Sequence, residues 1–432
     1  MSPEYSTRNT PDARVARRRA AAARRRRRAA LVLAVGVVGL GVLLLALAFA
    51  RPEGARDGPA GGAEGGTVVV GGAAAIPIGA TAGRPTSTLT TTAATPAPPG
   101  SAGEAGARVE SDVEIEIGWV GDLTPGSMYG EPPDEGRALF AATRVHTMSP
   151  DIMVANLEGT FGAGGPSKCD GRDSSNCYAF QADPQNAQAL AWAGIDVVNL
   201  ANNHSYDYFA AGAEATKEAL AANGVSHTGL LDTVAIREAR GVRVAFLGFS
   251  PYSYSPDIGD LAAARDLVTA AGEEADIVVV LMHAGAEGAD KVRVPEGGET
   301  AYGEFRGDSR AFSHAVIEAG ADLVLGSGPH VIRGLEIYGD RVVAYSLGNF
   351  AGWGNFSTQG NLALSGLLTV RMAADGRVLG GRWLSLRFAE AGVPEVDEGD
   401  ASLELVRDLS QADFATPVRL GADGTFTLST SR

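Results

Sequence analysis

Side chains that can bind a cation or move a proton recur where apolar runs of this chain end. The segments are IGWVGDL (Asp122), MVANLEG (Asn156, Glu158), VVNLANNHSYD (Asn199, Asn202, Asn203, His204, Asp207), VVVLMHAGAE (His283, Glu287), LVLGSGPH (His330) and YSLGNF (Asn349). Carboxylate, imidazole and amide oxygen are ligands for Mn²⁺, Fe²⁺, Zn²⁺ or Mg²⁺, and the thiolates of many closed zinc sites are absent from the set. The residue types therefore indicate a divalent metal centre.

For any one of these residues, capping a helix or closing a turn is the more ordinary role. Their coincidence at successive run ends favours one shared site instead. Three of the six histidines, His204, His283 and His330, lie just beyond predicted strands. The other three fall in predicted helices or near a loop, where an ordinary surface or core role is expected.

The elements that position these residues can be read from the hydrophobic pattern. Apolar runs predict strands at residues 113–120, 151–157, 195–200, 242–249, 277–282 and 323–325, and helices at 187–192, 210–223 and 309–319. Alternation of strands with helices predicts a parallel or mixed sheet, whose strand ends can meet in one crevice. After residue 334, hairpin patterns at 335–347 and at 362–372 with 377–386 predict a second, more antiparallel sheet.

Charge is distributed unevenly along the 432 residues. The formal net charge is −15, and residues 1–30 contribute +8 of it through ten Arg, so the remaining 402 residues hold −23. Nucleic-acid binding depends on Lys and Arg that neutralise phosphates. Nucleic acid is therefore excluded as the partner of the folded part.

Residues 29–50 form an apolar run of 22 residues without a charged side chain, long enough for one helix across a bilayer. A cleaved signal peptide usually has a shorter apolar region, of about 7–15 residues. The arginines before the run predict a cytoplasmic N-terminus for residues 1–28. We therefore expect a single-pass cell-membrane protein whose remaining residues lie outside the cytoplasm.

Residues 51–110 are rich in Gly, Ala, Thr and Pro, which predicts a disordered linker. Residues 111–432 then form the extracytoplasmic domain. The chain has two cysteines, Cys169 and Cys177, in one polar loop. An extracytoplasmic location permits a disulfide, which we favour over a metal site because no third Cys or His lies nearby in sequence.

Seven ordered motifs carry a family resemblance over residues 113–390: GDLTPG, NLEGTF, DVVNLANNHSYDY, FLGFS, VLMHAGAE, ADLVLGSGPHVIRGLEIY and AYSLGNF. The chain resembles the CapA-type poly-γ-glutamate capsule synthesis proteins, whose domain is related to calcineurin-like metallophosphoesterases. The most specific segments are NLANNHSYD and SLGNF. This resemblance implies an α/β fold, a four-layer α/β/β/α sandwich with the site at the sheet edges.

Carried over residue by residue, the resemblance implies metal ligation by Asp122, Glu158, Asn203, His283 and His330. It also implies that His204 is the general acid or the stabiliser of the transition state. Two imidazoles of the phosphoesterase pattern are missing, since Thr124 and Gly328 stand at their positions. Glu287, Asp207 or water could complete the coordination, and the sequence leaves this choice open.

The expected function is that of a membrane-anchored extracytoplasmic capsule protein with a metallophosphatase-like site. It would act in the synthesis, export or attachment of an anionic polymer such as poly-γ-glutamate, together with the capsule synthesis machinery. Two alternatives stay open, a metal-dependent phosphoester hydrolase unrelated to capsule and a non-catalytic scaffold with a degenerate site.

Overall fold

The structure is a computed structural model that describes residues 113–127, 129–172, 177–231, 233–390 and 392–428. The predicted Arg-rich tail (1–28), membrane helix (29–50) and linker (51–110) lie outside these residues. No helix within the described ranges is long and apolar enough to cross a membrane.

The helices and strands of the described residues are defined as follows. The strands are β1 (Glu114–Leu123), β2 (Ile152–Leu157), β3 (Thr160–Phe161), β4 (Gln181–Ala182), β5 (Val197–Asn199), β6 (Ser226–Thr228), β7 (Ala235–Ala239), β8 (Val242–Phe249), β9 (Ile277–His283), β10 (Thr300–Ala301), β11 (Glu304–Phe305), β12 (Leu323–Ser327), β13 (Leu335–Tyr338), β14 (Arg341–Ala344), β15 (Asn349–Ala351), β16 (Leu364–Ala373), β17 (Val378–Glu390), β18 (Val393–Val396) and β19 (Thr425–Thr427). The α-helices are α1 (Arg144–Thr147), α2 (Gln188–Trp192), α3 (Phe209–Ala222), α4 (Leu261–Glu274), α5 (Ser309–Ala319) and α6 (Ala401–Asp413).

The first sheet has the strand order β18-β17-β16-β1-β2-β5-β6, with β15 beside β1 and β19 beside β17. Strands β1, β2, β5, β6 and β15 pair in parallel, whereas β16 joins β1 antiparallel and β17 and β18 continue antiparallel. The second sheet has the order β13-β14-β12-β9-β8-β7. Its four central strands are parallel, and β13 and β7 are antiparallel at the edges. Both sheets are therefore mixed.

The two sheets share one core, and each packs helices on its other face. Strand β8 shows how this arises: Val242, Val244 and Phe246 face the core between the sheets, while Leu247 and Phe249 belong to the outer core with α4 and α5. Alternate residues of a strand point to opposite faces, so a strand buried on both sides is apolar throughout. The outer face of the first sheet packs against α2 and α3 in the same way. The layers therefore run helix, sheet, sheet, helix.

Most predicted elements agree with the structure, and strand 242–249 and helix 309–319 agree at both ends. Helix α5 begins where Asp308 accepts a hydrogen bond from the Ala311 amide, and ends at Gly320 with a φ of 122°. The predicted separate antiparallel sheet is wrong. Both predicted hairpins form, but β13–β14 extends the second sheet and β16–β17 extends the first along the free edge of β1.

Candidate metal centre

The polar residues meet because the strands that carry them end at one level. In the first sheet, Asp122 lies in register with Asn349 on one side and with Asn156 on the other, and Asn156 lies beside Asn199. A hydrogen bond from the Gly328 amide to Asp122 Oδ2 (3.3 Å) joins this row to the end of β12 in the second sheet. Strand ends of both sheets thus contribute to one buried cluster.

Three of the predicted ligands lie close enough together to hold one ion. Ligand atoms of Asp122, Glu158 and His330 all lie within 4.8 Å of one another. His330 directs Nδ1 to Asp122 Oδ2 at 3.0 Å and Nε2 to Glu158 Oε1 at 3.7 Å. Carboxylates that hydrogen-bond the far nitrogen of an imidazole orient that ring for metal binding. Asp122 is therefore placed to orient His330 as well as to bind an ion.

His283 completes the cluster from the end of β9. Its Nε2 lies 3.7 Å from Glu158 Oε1, and its Nδ1 lies 3.3 Å from the Ser327 hydroxyl. Burial lowers the pKa of His283 to about 3, so the ring is neutral at physiological pH. Within the described residues, Glu158 Oε1 and His283 Nε2 are buried without a hydrogen-bond partner. Unpartnered buried polar atoms are costly, and a cation between these two would satisfy both.

The charges of the cluster are strongly interdependent. Burial raises the pKa of Glu158 well above its usual value. Burial opposes ionisation of Asp122 too, but the hydrogen bond and charge of His330 outweigh it and lower the pKa. For His330, burial acts to lower the pKa, whereas Glu158 and Asp122 together raise it well above the ordinary value. When no metal ion is bound, the protonated His330 ring therefore neutralises part of the negative charge of Asp122 and Glu158.

His204 lies in a separate set of contacts beside this cluster. Its Nδ1 donates to Asp207 Oδ2 at 2.8 Å, and Lys168 Nζ forms an ion pair with Asp207 Oδ1 at 2.7 Å. Burial lowers the pKa of His204, although the charge of Asp207 opposes this effect. The ring also contacts Phe180, with 4.8 Å between ring centroids. These contacts fix the imidazole with Nε2 as its available nitrogen.

Asn203 is the predicted ligand for which the structure shows no direct bond to the cluster. Its Oδ1 is buried and makes no hydrogen bond within the part of the chain described, while its backbone carbonyl accepts from Lys168 Nζ at 3.0 Å. The Oδ1 of the neighbouring Asn202 already accepts hydrogen bonds from the His204 amide and the Ser205 hydroxyl, both at 3.1 Å. Asn203 therefore remains the member of this pair with a free amide oxygen.

Asn156, which the sequence places at a strand end without a defined role, contacts both Asp122 and His283. Its Nδ2 donates to Asp122 Oδ1 at 2.8 Å and lies 3.2 Å from His283 Nδ1. Asn199 and Asn202 donate to its Oδ1 at 3.0 and 3.3 Å. Its position at the end of β2 was the signal in the sequence that it could belong to the site. Its contact with Asp122 depends on the register between β1 and β2, which the sequence does not show.

Gly328 and His330 have unusual backbone conformations at the end of β12. Gly328 has a φ of 109°, and a Cβ there would lie 3.2 Å from His283 Nε2. An imidazole at position 328 would therefore crowd His283. His330 has a φ of 59°, which is strained for a residue other than glycine and is typical of functional sites. Position 328 thus favours glycine, both by its positive φ and by its closeness to His283.

Cys169 and Cys177 form a disulfide, as the sequence predicts. The bond closes the loop between Lys168 and Phe180, the two residues that contact His204 and Asp207. The Lys168 amide donates to the Asp207 carbonyl at 2.8 Å, and the Phe180 amide donates to Asp207 Oδ2 at 2.6 Å. The loop thereby holds the surroundings of His204 from both sides.

Two mixed sheets with outer helices and a buried Asp, Glu and His cluster at their strand ends define an α/β protein whose donor set suggests a divalent metal. The family described as bacterial capsule synthesis protein PGA_cap matches residues 116–352, more than half of the chain. The chain belongs to this family, which confirms the CapA-type resemblance and supports a capsule-related role.

Individual relatives carry related names. The capsule biosynthesis protein CapA of Bacillus anthracis is 30% identical over 200 residues, which cover 40% of this chain and 45% of that protein. The PGA biosynthesis protein CapA of Bacillus subtilis is 26% identical over 266 residues, which cover 56% and 65%. The matches thus span about half to two thirds of these relatives. Among solved structures, a 5'-nucleotidase precursor of Thermus thermophilus is similar over 69% of this chain and 59% of its own, with a TM-score of 0.36 and 12% identity.

Proposed function

We propose that this chain is a membrane-anchored, extracytoplasmic protein of capsule biosynthesis with a metallophosphatase-like site in a four-layer sandwich of the metallophosphoesterase type. It acts in the synthesis, export or attachment of an anionic polymer such as poly-γ-glutamate. Family membership supports the capsule role. The metal centre is supported by one observation above all, the 3.7 Å approach of Glu158 Oε1 and His283 Nε2, both buried and without hydrogen bonds.

The location is proposed from the sequence. The apolar residues 29–50 would anchor the chain, with residues 1–28 in the cytoplasm and the remainder outside. The net charge of −23 beyond residue 30 disfavours broad contact with a polyanion. Recognition of an anionic polymer would therefore be local, at the metal centre.

In this proposal, the ion would be held by Asp122, Glu158, Asn203, His283 and His330. A bound divalent ion would polarise a phosphoryl oxygen and lower the pKa of water to near neutrality. His204 Nδ1 keeps its proton and donates it in a hydrogen bond to Asp207, so that Nε2 can take up a proton from a substrate oxygen or return one to it. Lys168 balances the charge of Asp207 and keeps this pair in place.

The capsule role is tested in a strain that makes an anionic surface polymer and carries this gene. Deletion of the gene should reduce the polymer in the envelope, and wild-type protein should restore it. The variant His283→Ala should be expressed to the same level and should not restore the polymer. Unchanged polymer after deletion would contradict the capsule role.

A second candidate function is hydrolysis of phosphoesters independently of capsule, and the positioning of His204 by Asp207 favours it. The full-length protein with Mn²⁺ should then hydrolyse a generic aryl phosphate. Loss of a general acid or base typically costs about 10²–10⁴-fold in rate, and His204→Ala should lose that much while still binding Mn²⁺. Equal turnover by wild type and His204→Ala would exclude this role of His204.

A metal analysis separates both candidates from a scaffold. Elemental analysis of the purified protein, before and after incubation with Mn²⁺ or Zn²⁺, should show bound metal in the wild type and less in Asp122→Ala. Absence of uptake by the wild type would favour the non-catalytic scaffold.

A further inference from the structure

We propose that Glu287 is an additional ligand of the divalent ion and fills a coordination position left by the missing imidazoles. The inference rests on the proposed function, because it concerns the same centre. Glu287 lies four residues beyond the end of β9, and its Oε2 is 3.8 Å from His330 Nε2.

Three distances in the cluster are short enough for the two atoms of each pair to bind the same ion. Two atoms that each lie about 2.1 Å from an ion can be at most about 4.2 Å apart. Glu158 Oε1 is 3.7 Å from His283 Nε2 and 3.7 Å from His330 Nε2, and His330 Nε2 is 3.8 Å from Glu287 Oε2. Two of these four atoms, Glu158 Oε1 and His283 Nε2, are buried and lack a hydrogen bond. Each of the four atoms therefore lies close enough to at least one other of the set to share a cation with it.

The loop that carries Glu287 is held rigidly. A buried ion pair between Arg333 and Glu299 lies beneath it, with Nη1 and Oε2 2.7 Å apart. Arg333 Nη2 donates to the Ala286 carbonyl (3.2 Å) and Nε to the Lys291 carbonyl (2.9 Å), while the Ala286 amide donates to Glu299 Oε1 (3.2 Å). Since the residue before Glu287 is bonded through both backbone groups, little ordering is needed when Glu287 binds an ion.

Arg306 orients the carboxylate itself. Its Nη1 donates to Glu287 Oε1, and Oε2 is the oxygen that lies near His330. The Arg306 side chain is only 5% exposed, and its carbonyl accepts from the Gly285 amide at 2.8 Å. On its outer side the same guanidinium pairs with Glu304, whose side chain is 57% exposed. Glu304 thus shares the Arg306 partner and provides a matched control for Glu287.

A carboxylate ligand at this position would change which divalent ion the centre prefers. At the position where an imidazole is expected, Gly328 supplies no ligand, and a Cβ there would lie 3.2 Å from His283 Nε2. A carboxylate ligand in place of an imidazole makes the donor set richer in oxygen. Oxygen donors suit Mn²⁺ and Mg²⁺, whereas imidazole suits Zn²⁺. Glu287 therefore shifts the centre towards Mn²⁺ relative to a histidine-rich centre.

The test is calorimetric titration of the full-length protein with Mn²⁺ and, separately, with Zn²⁺. Loss of even an indirect ligand partner weakens metal binding by about 10–100-fold, so Glu287→Gln should weaken Mn²⁺ binding at least about tenfold. Glu304→Gln should stay within about twofold of wild type. Glu287→His, which restores an imidazole, should shift the ratio of Mn²⁺ to Zn²⁺ affinity towards Zn²⁺ by about tenfold.

The outcomes separate this inference from the proposed function. Wild-type affinity in Glu287→Gln, or an equal loss in Glu304→Gln, overturns the ligand role and leaves the metal centre intact. A wild-type protein that binds neither ion overturns the centre itself. If Glu287→Gln loses its cooperative thermal unfolding, Glu287→His decides the question, because an unchanged Mn²⁺ to Zn²⁺ ratio in that variant also overturns the ligand role.

Discussion

Asn156 donates its side-chain Nδ2 to Asp122 Oδ1 over 2.8 Å at the matched ends of β1 and β2. Asn199 and Asn202 both donate to the opposite end of the same amide. These two donors determine which end of Asn156 faces Asp122, because only the Oδ1 end can accept from them. The amide chain therefore holds Asp122 in the orientation that contacts His330.

We predict that Asn156→Ala weakens Mn²⁺ binding by about 10–100-fold, the usual effect of removing a group that orients metal ligands. The variant removes the donor to Asp122, and the Asn199 and Asn202 amides each lose one of their acceptors. Calorimetric titration with Mn²⁺ measures the effect. Asn223→Ala is the control, since the Asn223 side chain donates to the Ala219 carbonyl in the last turn of α3. Equal affinities of the two variants would contradict the orienting role.

A second prediction concerns the buried ion pair of Arg333 and Glu299. Both side chains are nearly inaccessible, and Arg333 donates to both carboxylate oxygens at 2.7 and 2.8 Å. Removing one partner of a buried pair leaves an uncompensated charge and costs about 3–5 kcal/mol. Arg333→Met should therefore lower the free energy of unfolding by about that amount in urea titrations.

Replacing both partners provides the control for this prediction. Arg333→Met combined with Glu299→Leu should recover part of the loss, because no isolated charge remains. A double variant less stable than Arg333→Met alone would show that the hydrogen bond from the Ala286 amide to Glu299 outweighs the cost of the isolated Glu299 charge.

Helices and strands could be predicted from the sequence where nearby residues mark their first and last positions. Helix α5 has Asp308 before it and Gly320 after it, and β8 is a continuous apolar run. The partner of a strand is not encoded in this way. Residues 362–372 and 377–386 read as a hairpin, but only the free antiparallel edge of β1 assigns that hairpin to the first sheet. The prediction of a second, more antiparallel sheet was therefore wrong because tertiary packing determines which sheet a hairpin joins.

The same distinction applies to the candidate centre. Asp122, Glu158 and His330 could be grouped in advance because each follows or ends an apolar run, and such ends meet at a sheet edge. The orienting role of Asn156 could not, since it requires the register that places Asn156 opposite Asp122. Register is a property of paired strands and depends on residues far apart in the chain.

A third prediction concerns acid sensitivity at Glu336. Burial acts to raise the pKa of this carboxyl, but hydrogen bonds from His314 and Tyr345 outweigh it and lower the pKa below the ordinary 4.5. The shift therefore stabilises the fold at pH values above 4.5 and is lost as the pH falls through the folded-state pKa. Urea titrations should show that Glu336→Gln is less stable than wild type at pH 7.

The difference between wild type and Glu336→Gln should narrow progressively below about pH 4.5. Glu395→Gln is the control, since its carboxylate pairs with Arg387 on the exposed surface and surface pairs contribute about 0–1 kcal/mol. A stability gap for Glu336→Gln that stays constant from pH 7 to acid would contradict the assignment of the shift to folding.

The disulfide between Cys169 and Cys177 leads to the last prediction. Closing a loop of this length reduces the entropy of the open chain by the equivalent of about 2–3 kcal/mol. The flanking Lys168 and Phe180 amides both donate to Asp207, so the constraint is transmitted to the residue that holds His204. Replacing both cysteines by serine should therefore loosen these two amides.

Hydrogen exchange followed by mass spectrometry should show faster exchange at Lys168 and Phe180. The amides of β9, in the centre of the second sheet, should exchange at the wild-type rate because they pair on both sides with β8 and β12. Wild-type exchange at Phe180 in the double variant would mean that Asp207 alone holds the loop and that the disulfide contributes nothing to the position of His204.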